Sequence, residues 1–354
     1  MNQKAYNYRP MQLNRQILQS PVVLFLGAGA SQSLDKLTMK PFVERLPARI
    51  KYRPDPVKKA LQHLIEHCGD DLENILGELD AIIHLKSATS VSMIREGGSR
   101  SISQDVANSV RHAIEYDIIR EYAEVPLEKV TRLYRPLFDL IFARIDPQVH
   151  CLPIFTTNYD PAIETFCDAH ANEYALTDGF KHMHRDYVWD PETFHGFHFT
   201  PGKRSIVLFK LHGSVDWLLL RLKNAIIRSQ PFHQSIDTKR YQNVLIYPAV
   251  HKVATDEPYY TAYDYYGRCC ETARLLLTIG YSFRDYDALA RLRSAMSFNS
   301  SLLLFLMAPD AVETLGRLPM DRERLRDVPY MFGSESDSDS YLSDVNSMLL
   351  TLYR

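Results

Sequence analysis

The chain has 354 residues, long enough for one large α/β domain with a smaller module or for two ordinary domains. Its composition, 45% hydrophobic and 24% charged, is that of a soluble globular protein. A formal charge of −2, from 41 basic and 43 acidic residues, points to neither nucleic acid nor an anionic membrane surface as a partner.

The start, MNQKAYNYRPMQLNRQ, has no apolar stretch of signal-peptide length. No apolar run approaches the roughly 20 residues that span a bilayer. The sequence therefore reads as soluble and cytoplasmic, with no membrane association. Five cysteines, Cys68, Cys151, Cys167, Cys269 and Cys270, are irregularly spaced and lack the pairing of a zinc ribbon. They read as reduced, partly buried thiols.

In chain order, residues 1–20 form an N-terminal arm. Short apolar runs then recur at 22–26, 152–156, 206–211, 244–247, 275–279 and 302–307, each with the character of a buried parallel strand. Between the first two runs lie about 125 residues of mostly helical pattern, with helices expected over 55–68, 71–85, 103–124 and 127–144. One crossover needs a single helix. The excess, about 45–150, reads as a helical insertion over the nucleotide face, with 87–103 as its loop. Residues 178–203 read as a long irregular loop or hairpin. Its scattered histidines, His182, His184, His195 and His198, lack the carboxylate–histidine spacing of a metal site. Residues 311–354 form a tail, with an acidic, mobile segment at 333–340 and a short docking helix over 341–353. The expected fold is a doubly wound, mainly parallel, Rossmann-like α/β sheet with a large helical insertion and a catalytic domain at 21–310.

Four motifs stand at the ends of the expected strands. Gly27-Ala28-Gly29-Ala30-Ser31 follows the first, where glycine permits a sharp turn and a close backbone approach to a pyrophosphate. The turn could equally serve without a ligand, because the third glycine of the dinucleotide fingerprint is missing. Thr157-Asn158-Tyr159-Asp160 offers a carboxamide and a carboxylate for a ribose, a carboxamide or a water. Alternatively, Thr157 or Asn158 caps the next helix. His212-Gly213 places an imidazole where a general base could act, or a structural histidine. Gly280-Tyr281-Ser282-Phe283 again brings backbone and a hydroxyl to a strand end, and Asp285 or Asp287 reads as the cap of the following helix.

In this order the four motifs resemble those of the sirtuin-like NAD-consuming family, and most resemble its bacterial antiphage-defence branch. Leu245-Ile-Tyr-Pro248 is similar to a strand and turn of that branch. The resemblance implies that Gly27, Ala28, Gly29, Ala30 and Ser31 hold the pyrophosphate. It implies that Thr157, Asn158 and Asp160 face the nicotinamide and its ribose, that Asn158 and His212 are catalytic, and that Gly280, Tyr281, Ser282 and Phe283 line the adenosine end. Deacylating sirtuins carry a four-cysteine zinc ribbon after the His-Gly pair; here no cysteine follows His212 before Cys269, so no zinc is expected. The implied activity is NAD⁺ hydrolysis to nicotinamide and ADP-ribose. Protein deacylation, ADP-ribosyl transfer and non-catalytic sensing of NAD⁺ or ADP-ribose are the alternatives. The resemblance also implies gating, by a homo-oligomer or by a separate protein such as a HerA-type ATPase or a short Argonaute.

Overall fold

The computed structural model describes residues 13–84, 90–93, 100–184, 186–229, 241–245, 257–333 and 338–351. The one-turn helix α1 (Arg15–Leu18) is capped by Asn14, whose side chain accepts from the Gln16 amide. Strand β1 (Val22–Leu26) runs into the short helix α2 (Ala28–Gln32) through Gly27. Then come α3 (Met39–Arg49), α4 (Asp55–Cys68), α5 (Leu72–His84), the strand pair β2 (Ser90–Met93) and β3 (Arg100–Ser103), α6 (Gln104–Tyr122) and α7 (Leu127–Phe142). The four helices expected before residue 150 are thus present. The loop expected at 87–103 instead contributes an antiparallel two-stranded ribbon; residues 85–89 and 94–99 lie outside the described residues.

Strand β4 (Leu152–Thr156) leads to α8 (Ala162–Ala169) and β5 (Tyr174–Thr177). Next are β6 (Phe180–Met183), β7 (Asp186–Trp189), α9 (Glu192–His195), β8 (Arg204–Lys210), β9 (Gly213–Leu220), β10 (Ala225–Arg228) and β11 (Tyr241–Leu245). The chain closes with α10 (Tyr259–Thr272), β12 (Leu275–Ile279), α11 (Tyr286–Phe298), β13 (Leu303–Met307), α12 (Ala311–Gly316), β14 (Leu325–Val328) and α13 (Ser338–Thr351).

Seven strands form one parallel sheet in the order β14-β13-β12-β1-β4-β8-β5. From β1 the chain steps to β4, passes to the edge strand β5 and comes back to β8 between them, then crosses to β12 on the other side of β1 and winds outward through β13 to β14. The sheet is therefore doubly wound, with its reversal beside β1, where such sheets bind ligands outside the carboxyl strand ends. Every residue of β1 is buried: Val22, Leu24 and Leu26 face a layer with α7 and α8, while Val23 and Phe25 face α10 and α11. Coverage on both faces explains why the strand reads as an unbroken apolar run.

Helices α3 to α6 build a third core of their own, which closes on Val215, Leu245 and the half-buried Tyr159. Tyr122 packs edge-on to Tyr159, with ring centroids 6.1 Å apart. The helical insertion thus leans on the loop after β4 and on the start of β9.

Of the two readings of 178–203, an irregular loop or a hairpin, the structure has the hairpin: β6 and β7 pair antiparallel and join a second sheet, β11-β9-β10-β7-β6. One expectation is corrected. The strand expected at 244–247 is β11 of that sheet, antiparallel to β9, and not a member of the parallel one. Residues 246–248 of the Leu245-Ile-Tyr-Pro248 turn lie outside the described residues. In the tail, α13 docks through Tyr341, Val345 and Leu349 onto the α7 face, and Arg144 bonds Asn346. Residues 338–340, expected to be mobile, begin that helix, whereas 334–337 lie outside the described residues.

Candidate nucleotide-binding and catalytic site

The strands that precede the four motifs, β12, β1, β4 and β8, are four consecutive members of the parallel sheet. Their carboxyl ends therefore form one row, so Gly27, Asn158, His212 and Gly280 stand along one crevice.

Glycine makes the first contact in that row possible. The Gly27 amide donates to Ile279 O, and the Gly29 amide to Gly280 O, both at 2.9 Å. A Cβ on Gly29 would sit 2.7 Å from the Gly280 Cα, and one on Gly27 would sit 2.5 Å from the Gly280 oxygen. Gly280 itself has φ +61°, and a Cβ there would meet the Gly29 Cα at 2.4 Å. The amides of Gly27, Gly29 and Ala30 are all spent on protein carbonyls. Among the described residues the Ala28 amide has no such partner, and Ala28 and Ser282 are exposed at the crevice rim. These two are the groups left for a phosphate or a ribose. Ser31, expected to face the pyrophosphate, is buried and donates to Asp160 Oδ2 at 2.5 Å.

Across β1, the Asn158 side chain donates through Nδ2 to Gly27 O at 2.9 Å, and its amide donates to Thr156 Oγ1. The Gly27 carbonyl fixes which end of the carboxamide is nitrogen. Oδ1 makes no bond among the described residues, so it is available to a water or a ribose hydroxyl. The Thr157 amide donates to Leu26 O. Asp160 is buried; Oδ1 accepts from the Ala162 amide at the start of α8, and Oδ2 accepts from Ser31. Pro161 occupies the cap position of α8, so neither Thr157 nor Asn158 caps it; Asp160 holds the first amide of the helix, and both its oxygens are occupied.

His212, 5% exposed, lies at the end of β8. Its Nε2 is 2.7 Å from Asp285 Oδ2, and Tyr263 donates its hydroxyl to the same oxygen at 2.6 Å. Asp285 Oδ1 accepts from the Ala288 amide, which makes Asp285 the cap of α11, as expected. Burial pushes the Asp285 carboxyl upward, but the bonds from His212 and Tyr263 outweigh it and hold the group at about 2. Gly213 has φ +80°, and a Cβ there would lie 2.1 Å from the Val244 oxygen, so β11 passes where only glycine fits. Tyr281 and Phe283, expected to line the adenosine end, are buried in the core, with ring centroids 4.8 Å apart. Phe283 has φ +56°, a conformation that costs a residue with a side chain about 1–3 kcal/mol. That strain sits in the loop carrying Ser282 and Asp285.

Three residues escaped the sequence reading. Asp285 was legible as a cap, but a cap uses one oxygen and nothing in the sequence says what takes the other. Tyr263 sits on α10, far along the chain. Lys210, 2% exposed, donates to Asp160 O at 2.6 Å and to Ser214 Oγ at 3.1 Å, and its Nζ is 3.3 Å from Glu164 Oε1. A lysine closing an apolar strand was the available signal, because a buried charge requires partners. Burial raises the Glu164 carboxyl against the pull of Lys210. This pair ties α8 to the end of β8.

Among the described residues no group of three or more His, Cys, Asp or Glu is arranged to hold a metal ion, and no helix is long and apolar enough to cross a membrane. All five cysteines are free thiols. A separate cavity of about 680 Å³ opens beside α8, and none of the expected site residues lines it.

Two outcomes check this geometry. Gly280→Ala should destabilise the protein by more than Gly202→Ala, because Gly202 also has a positive φ, +75°, but an added Cβ there meets nothing within 4 Å, whereas at Gly280 it meets main chain. Urea unfolding of the two variants compares them, and equal losses would contradict the close approach. The Asp285 carboxyl sits at about 2 in the folded chain against the ordinary 3.8, so its pairing stabilises fully above about pH 4 and is lost as pH falls toward 2. That difference is on the order of 2 kcal/mol. The stability gap between wild type and Asp285→Asn should close over that window; a gap independent of pH would be the contrary result.

Residues 153–325 match the family model described as a SIR2-like domain. The matched segment contains the Asn158, His212 and Gly280 motifs, while Gly27–Ser31 precedes it. No curated protein matches the chain. Similar solved structures include a crystal structure of a Sir2 homologue–NAD complex, 12% identical over 95% of this chain and 93% of that one, with a TM-score of 0.46. They also include a Sir2 homologue mutant in complex with ADP-ribose, 12% identical over 96% of each chain, with a TM-score of 0.45. The seven-stranded parallel sheet, wound on both sides of β1, is Rossmann-like, and the segment 153–325 is similar to a SIR2-like domain.

Proposed function

We propose that the crevice binds NAD⁺ and that Asn158 and His212 hydrolyse its nicotinamide–ribose bond. The observation that carries this reading is the meeting of four motifs on four adjacent strand ends, with an acceptor oxygen of Asn158 and an imidazole of His212 at neighbouring ends. The SIR2-like match over three of the motifs supports it. The pyrophosphate would lie at Ala28, and Ser282 would bond the adenosine half. Residues 21–310 would form the catalytic unit, covered by the insertion.

Nicotinamide leaves readily because its ring nitrogen is cationic, and it takes the electron pair of the C1′–N bond with it. The ribose then carries oxocarbenium character at C1′. Asn158 Oδ1 orients a water on C1′, the water oxygen forms the new bond, and His212 accepts the released proton. The products are nicotinamide, ADP-ribose and one proton. Holding water and C1′ in place removes an orientational cost, and the base contributes about 10²–10⁴-fold. Asp160 and Ser31 brace the loop and do not take part in the chemistry.

The reading favours water over acyl-lysine as the acceptor, because the sequence lacks the four-cysteine ribbon of deacylating sirtuins. An ungated enzyme of this kind would deplete its own cell of NAD⁺, which supports a defence effector in the cytoplasm, held in check by assembly with itself or with a separate ATPase. Purified protein, alone and with a co-encoded partner, should convert NAD⁺ to nicotinamide and ADP-ribose. Asn158→Ala and His212→Ala should each lower turnover by about 10²-fold or more. Unchanged turnover in both variants would overturn the assignment, and NAD⁺ binding without turnover in every state would favour a sensor.

A further inference from the structure

We infer that Asp285, steadied by Tyr263, is a positioning residue that fixes the tautomer of His212, so that Nδ1 and not Nε2 is the atom that accepts the proton. The inference rests on the reading of His212 as the base.

Nε2 of His212 lies 2.7 Å from Asp285 Oδ2. A carboxylate held at about 2 is ionised at neutral pH and can only accept. Nε2 must therefore carry the hydrogen, and in the neutral ring the lone pair falls on Nδ1. Nδ1 makes no bond among the described residues, and it is not one of the buried polar atoms sealed away from solvent. It is the ring atom that a ligand can still reach.

The carboxylate is itself held by three donors. His212 and Tyr263 donate to Oδ2, and the Ala288 amide donates to Oδ1 at 3.0 Å. Tyr263 is in turn tied down by Arg291, whose Nε donates to its carbonyl and whose guanidinium lies 5.1 Å from its ring centroid. Asp285 cannot rotate away without giving up the cap of α11.

The span of the bond matters too. β8 and β12 are three strand spacings apart, about 14 Å at the usual ~4.8 Å per strand. The His212–Asp285 bond therefore draws the two outer loops over the ends of β1 and β4, where Gly27 and Asn158 lie. When Nδ1 takes a proton from the attacking water, the imidazolium forms against an anion already in place, with no group left to reorient.

The test has two arms. Nitrogen-15 NMR of the resting protein, labelled at histidine and assigned with His212→Gln, should show neutral His212 as the Nε2–H tautomer. Asp285→Asn should lose that uniform state. This arm needs no substrate, so it stands even if NAD⁺ proves not to be the ligand. In the kinetic arm, Asp285→Asn should lower kcat for NAD⁺ by about 10²–10⁴-fold while KM stays within about 3-fold. Tyr263→Phe, which keeps the carboxylate and the cap, should lower kcat by about 3–10-fold in the same pattern. An Nδ1–H tautomer in the wild type overturns the inference, and so does full kcat in a folded Asp285→Asn. If the wild type leaves NAD⁺ intact, the catalytic reading fails and the tautomer alone decides the role of Asp285.

Discussion

The site depends on the contact between the backbones of Gly29 and Gly280. A side chain on either would drive β1 and β12 apart at their carboxyl ends, because the added carbon would meet main chain at 2.7 or 2.4 Å. Main chain cannot yield as the tip of a flexible side chain does. With hydrogen alone on both residues, the Gly27 and Gly29 amides reach Ile279 and Gly280, and the mouth of the crevice takes its shape. The Gly27 carbonyl is then placed to receive Asn158, so the orientation of one catalytic candidate follows from a turn on another strand.

The remaining parts of the crevice are tied together in the same way, each by a bond between loops far apart in sequence. Ser31 holds Asp160, Lys210 holds the Asp160 carbonyl and Ser214, and Asp285 holds His212. Removing one partner of a buried charge pair strands the other, typically at about 3–5 kcal/mol. The polar network is thus both a support for the site and a stability risk. The groups left over are few: the Ala28 amide, Ser282, Asn158 Oδ1 and His212 Nδ1.

Much of this was legible in the sequence, for identifiable reasons. β1, β4 and β12 are buried on both faces, so their apolar runs fixed their limits to the residue. Helices α4 and α7 announced themselves by apolar spacing. The second sheet was missed because β6 and β7 are largely exposed and lack alternation, and because β9 follows β8 so closely that Gly213 reads as a loop residue. Among the site residues, the strand ends were legible but the side-chain partners were not. Ser31, Asp160, Tyr281 and Phe283 suit a ligand in type, yet the structure spends the first two on each other and buries the rings of the other two. Asp285 carried a cap signal that concealed its second role, which depends on strand order and not on local spacing.

The central claim is that a dinucleotide lies along the ends of β12, β1, β4 and β8, with its scissile ribose between Asn158 and His212. A crystal structure of the protein soaked with ADP-ribose tests it most directly. The account predicts the pyrophosphate against Ala28, the adenosine ribose beside Ser282, and the distal ribose within hydrogen-bond reach of Asn158 Oδ1 and His212 Nδ1. ADP-ribose seated in the cavity beside α8, with the crevice over β1 and β4 left empty, would contradict it.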